Sequence, residues 1–110
     1  MQIDQLTQAL KLFEAYNTSK VGFSLDMIRV FLFIATNDRP IQNTIIHSLN
    51  IPSPTLNRVI SDLSKRTRKQ ALICPGLDLI EREENEQDMR QKPLILTKKG
   101  KKLLEELQII

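Results

Sequence analysis

The stretch LNIPSPTLNRVISDL, residues 49–63, constrains this chain more than any other. Two prolines stand two residues apart, directly ahead of a run whose apolar residues recur at helical spacing. Stepping about 100° per residue gathers Leu56, Val59, Ile60 and Leu63 on one narrow arc, which must face a core. Ser53 is placed to cap this helix through its hydroxyl, and Pro54 falls at the first helical position, where its fixed φ fits and its missing N–H is not needed. Pro52 stiffens the turn. A short helix precedes it at 41–49, closed by Asn50, which enters a left-handed turn cheaply. The prolines lower the entropy lost in fixing the angle between two short helices. A fixed interhelical angle defines a helix-turn-helix.

Around this unit the apolar periodicity predicts further elements. Ile3, Leu6, Leu10 and Phe13 form the stripe of a helix over residues 2–16. Ser24 caps a second helix, with Leu25, Ile28, Phe31, Leu32 and Ala35 on one face; Val30, Phe33 and Ile34 make it apolar nearly all round, so it is expected at the centre of the core. Pro40 ends that segment. After residue 70 strand signals appear in ALIC, LIERE and PLILT, separated by turn formers. Thr97 then caps a last helix with Leu103, Leu104, Leu107 and Ile110 on one side. The expected fold is mainly α with a small β-hairpin, a winged helix-turn-helix of order α-α-α-α-β-β-α in a single domain over residues 1–110. Residues 64–78 either extend the recognition helix or add a short strand near 71–74.

Composition excludes several classes. The six-residue apolar run at 30–35 is far too short to span a membrane, and the N-terminus lacks the regions of a signal peptide. A cytoplasmic protein of a prokaryotic cell, phage or plasmid is expected, with no membrane partner. Cys74 is the only cysteine and His47 the only histidine, which rules out an internal disulfide and leaves no four-ligand zinc set. His47 has no paired nucleophile, so no enzyme is expected. The acids from Glu81 to Asp88 lack the glycine and ligand spacing of a calcium loop. No metal and no cofactor are expected.

The net charge of +3 is unevenly placed: six bases and one acid at 39–69, six acids and one base at 78–88, and six bases and no acid at 90–102. Two basic blocks flank an acidic one, a footprint suited to a polyanion. Pro54, Arg58, Ser61 and Lys65 fall opposite the apolar arc of the fourth helix, with Thr55, Asn57 and Asp62 on its flanks. Side chains that are long, polar or hydrogen-bonding are what reading base edges requires.

The segment LIEREENEQDMRQKPLILTKKGKKLLEEL resembles the wing and following helix of the MarR family of winged-helix transcription regulators. Leu79 to Arg82, Asp88 and Arg90, Leu96 and Thr97, Gly100, and Leu103 with Leu104 match the family's ordered pattern, and residues 49–63 look like its recognition helix. The likeness runs over about residues 40–108. It implies a recognition helix at 53–65 in the major groove, contacting through Ser53, Pro54, Thr55, Asn57, Arg58, Ser61 and Lys65, and a wing at 79–97 contacting through Arg82, Asp88, Arg90 and Lys92. Arg90 would enter the minor groove, oriented by Asp88; the bland alternative is a solvated ion pair. Arg39, Arg66, Arg68, Lys69, Lys98 and Lys99 are candidate phosphate contacts, or else solvated basic faces.

The chain departs from that family at three places. Fifteen residues separate Leu63 from Leu79, Ile46 stands where a small residue is usual, and the sequence stops at Ile110 where family members continue with a long helix. Little volume is left for an effector cavity, so no small-molecule effector is expected. Residues 1–16 and 98–110, through Ile3, Leu6, Leu10, Phe13, Leu103, Leu107 and Ile110, are the candidate dimerisation helices. The leading expectation is a dimeric, sequence-specific repressor bound to double-stranded DNA. The alternatives are a winged helix serving replication or phage or plasmid DNA maintenance, and one that binds only proteins.

Overall fold

A computed structural model describes residues 2–17, 22–65, 76–83 and 92–110. Among the described residues the order is α1 (Ile3–Ala15), α2 (Leu25–Thr36), α3 (Gln42–Leu49), α4 (Ser53–Leu63), β1 (Ile80–Arg82), β2 (Leu94–Leu96) and α5 (Lys98–Ile109). This is a winged helix: four helices, a two-stranded antiparallel hairpin and a closing helix. The short strand considered near 71–74 lies outside the described residues.

Local signals place most helix ends. The Ser24 hydroxyl accepts from the Met27 amide at the start of α2, and the Thr97 hydroxyl accepts from the Gly100 amide at the start of α5. Asn50 closes α3 at φ 53°, ψ 48°, the left-handed geometry its side chain tolerates. The start of α4 differs from expectation. Ser53 is already helical and Pro52 is the cap, with no side-chain hydrogen bond; its extended backbone at φ −60°, ψ 145° carries the carbonyl that accepts from the Leu56 amide at 3.0 Å. A proline in that conformation sets the entry angle through its ring alone, so no hydroxyl is needed.

All four residues of the α4 arc are buried, and each contributes about 2 kcal/mol by leaving water. Helix α2 turns a different side inward than its stripe suggests. Met27, Val30, Phe31 and Ile34 are buried, whereas Leu25 is 72% and Leu32 39% exposed. A helix that is apolar nearly all round has no unique stripe, and the elements packed on it choose its inner face. Phe13 of α1 joins this core edge-to-face with Phe31 and Phe23, at ring separations of 5.8 and 5.1 Å.

The hairpin is fastened to the end of α4. The Leu79 amide donates to the Leu63 carbonyl at 2.8 Å and the Leu77 amide to that of Asp62 at 3.0 Å, so β1 starts directly beside the helix C-terminus. Ile80 pairs with Leu96 and Arg82 with Leu94. On the other edge the Leu94 amide donates to the Pro40 carbonyl, joining β2 to the segment that enters α3. Gly100 is required where α5 leaves the hairpin. A Cβ there would overlap the backbone carbonyl of Leu79, which also accepts from the Thr97 amide.

Candidate nucleic-acid interface

The side of α4 opposite the core arc is open. Ser53, Pro54, Asn57 and Arg58 are exposed, Thr55 and Ser61 half-buried, and Lys65 exposed just beyond the helix. Arg58 makes no ion pair with any described residue. A guanidinium on a rigid helix, with its donors uncommitted, is suited to a bidentate contact with a planar acceptor pair. Asp62, expected on a flank, is buried.

Several predicted contacts have duties inside the protein. Arg82, expected to face DNA from the wing, is half-buried and donates to the side-chain oxygen of Gln42 at 3.0 Å; burial lowers its pKa from the ordinary arginine value. Asn57 accepts from the side-chain nitrogen of the same Gln42. Gln42 itself is 7% exposed, at the first position of α3. The sequence reading missed it, because nothing local distinguishes a buried bridging glutamine from a solvated one. Its partners stand 15 and 40 residues away.

Among the candidate phosphate contacts, Lys98 is exposed on the first turn of α5, while the Lys99 ammonium donates to the Leu77 carbonyl at 2.9 Å. Arg39, held at φ 48°, pairs with Glu83 at 2.6 Å across the base of the wing. Both partners are well exposed, so the pair contributes at most about 1 kcal/mol. Lys92 is half-buried. Arg66, Arg68, Lys69, Asp88 and Arg90 lie outside the described residues, as does Cys74. Arg29, not singled out from the sequence, pairs with Asp26 within α2 at 3.1 Å and joins α2 to α3 by donating to the Leu49 carbonyl at 2.6 Å.

The candidate dimerisation residues divide. Phe13 and Leu103 are buried in the chain's own core and offer no surface to a partner. Ile3, Leu6 and Leu10 are 81%, 50% and 45% exposed and Leu107 and Ile110 half-buried; Ile109, not among the candidates, is 83% exposed. Between α1 and α5 runs a mainly apolar groove lined by Gln8, Lys11, Leu12, Glu106, Ile109 and Ile110. At its side the Tyr16 hydroxyl donates to Glu106 at 2.9 Å. Desolvation, then that hydrogen bond and the carboxylate's charge, raise the pKa of the phenol. Among the described residues no group of three or more His, Cys, Asp or Glu is placed to hold a metal, and no helix is long and apolar enough to cross a membrane.

The sequence matches no protein-family model and no curated protein. The structure is similar to that of Staphylococcus aureus MarR in complex with salicylate and kanamycin, with a TM-score of 0.65 and 26% identity over 96% of this chain. The fold is a MarR-like winged helix. This chain spans 60% of the length of that MarR protein. Within the MarR-like frame, α3 and α4 are the helix-turn-helix, β1 and β2 the base of the wing, and α1 packs against α5.

Proposed function

We propose that this protein is a sequence-specific, double-stranded-DNA-binding transcription regulator, acting as a dimeric repressor by occluding its site. The observation that carries this reading is the solvent-open face of α4 with Arg58 at its middle, on a helix fixed rigidly between α2 and the hairpin in a MarR-like fold. Helix α4 enters the major groove, where Arg58, Thr55, Asn57 and Ser61 meet base edges. Lys65 and Lys98 add sequence-independent phosphate attraction, together with the basic residues 66, 68 and 69. The wing, through Asp88 and Arg90, lies along the neighbouring minor groove.

The dimer reading is supported by the apolar side chains that α1 and the end of α5 leave in water. A second copy covering Ile3, Leu6, Leu10 and Ile109 would hold two recognition helices about 34 to 36 Å apart, one turn of the duplex. Selection from a random duplex pool, followed by gel shifts at two salt concentrations, tests the reading. Recovery of a short palindrome supports it. Binding without sequence preference would favour a DNA-maintenance role, and absence of binding at low salt would leave protein–protein interaction.

A further inference from the structure

Three side chains from three elements form one hydrogen-bonded chain at the edge of the proposed interface. Arg82 of β1 donates to Gln42 of α3, and Gln42 donates to Asn57 of α4. The direction of this chain is forced by chemistry. A guanidinium has donors only, so the Gln42 amide must turn its oxygen to Arg82 and its NH2 to Asn57. Asn57 must then present its oxygen inward to receive that donor. Asn57 is exposed on the outer side of α4, so its NH2 is the end left to face outward. Gln42 is held in this sense by burial, since reversing its amide would oppose two donors on one side and two acceptors on the other.

We infer that Gln42 is a specificity-determining positioning residue: by way of Arg82 it fixes Asn57 as a hydrogen-bond donor toward the major groove, so the base facing Asn57 must offer an acceptor. An unconstrained asparagine pairs best with adenine, accepting from N6 while donating to N7. The relay removes the accepting half of that pairing. Guanine, with acceptors at N7 and O6, thymine, with O4, and adenine, through N7 alone, can receive the outward NH2 of Asn57; cytosine, which offers only its N4 donor, cannot. The relay therefore selects against cytosine at one position of each half-site. This inference rests on the DNA-binding reading of α4 given above.

Gln42→Glu tests it by reversal. A carboxylate still accepts from Arg82, but it can only accept from residue 57, so Asn57 must turn its NH2 inward and its oxygen toward the groove. Sites selected from a random duplex pool by the parent should lack cytosine at one position per half-site. Those selected by the variant should favour the amino bases adenine and cytosine there, with cytosine enriched roughly tenfold over the parent's sites. Gln42→Met, which keeps the length but not the polarity, should lose the preference while other positions are unchanged. Exchange of the Asn57 side-chain NH2 with water, followed by NMR on the free protein, reads the orientation without DNA: fast in the parent, protected in Gln42→Glu. Identical selected sites for parent and Gln42→Glu, with both folded, would overturn the inference. So would an Asn57 NH2 already protected in the parent. If the parent bound no DNA while the NMR result came out as expected, the base selection would fall with the DNA-binding reading, and the relay's direction would stand.

Discussion

The two ends of this molecule treat apolar surface in opposite ways. Around α3, α4 and the hairpin, every inward apolar residue of α4 is buried, and backbone hydrogen bonds from Leu77, Leu79 and Leu94 tie the strands to their neighbours. Around α1 and α5, one stripe residue in four is buried, and the helices leave Ile3, Leu6, Leu10 and Ile109 in water. The first region is finished within one chain and holds a polar face at a set angle. The second keeps apolar side chains uncovered within one chain. Rigidity suits the end proposed to read a duplex, and uncovered apolar area suits the end proposed to meet another copy.

The same truncation made in both regions probes that contrast most strongly. Leu56→Ala should cost about 3 kcal/mol of unfolding free energy in chemical denaturation, because the cavity opens in a closed core. Leu10→Ala should change the stability of the isolated chain by less than about 0.5 kcal/mol, and Leu10→Glu should shift sedimentation toward monomer. A Leu10→Ala cost near that of Leu56→Ala would mean that the α1 stripe is core. At the other end, Arg58→Ala should lose about 1 to 3 kcal/mol of affinity for the selected site, with stability unchanged. Lys98→Gln should weaken binding to all sequences alike and reduce the slope of log affinity against log salt by about 1. Equal, sequence-independent effects of these two changes would remove the assignment of α4 as the reading helix.

A further small effect concerns the α1–α5 contact. The Tyr16 phenol has a raised pKa, so the neutral form is favoured in the folded state. Its contribution is complete below the unfolded value near 10 and is lost as pH rises through the higher folded value. Tyr16→Phe should lower stability at pH 7 by less than about 1 kcal/mol and flatten the alkaline fall in a denaturation series. An unchanged alkaline profile would show that the Tyr16–Glu106 bond does not hold α1 to α5 in solution.

Elements whose causes are local were legible in the chain. Ser24 and Thr97 cap their helices, Asn50 takes the left-handed position, and the arc at 56, 59, 60 and 63 faces the core, because each depends on residues within one or two turns. Gly100 was legible as part of a motif, and its reason became visible only with the Leu79 carbonyl against it. The open face of α4 was legible in the chain, whereas the inward hydrogen bond of Arg82, expected among the wing contacts, was not.

Helix boundaries, the polar face of α4 and the order of elements thus follow from spacing and capping along the chain, since these interactions act between neighbours in sequence. The inner face of α2, the burial of Phe13 and Leu103 and the Arg82–Gln42–Asn57 chain required the assembled fold. Packing and buried hydrogen bonds join groups that are remote along the chain, and the free energy of each depends on which other surfaces have already excluded water.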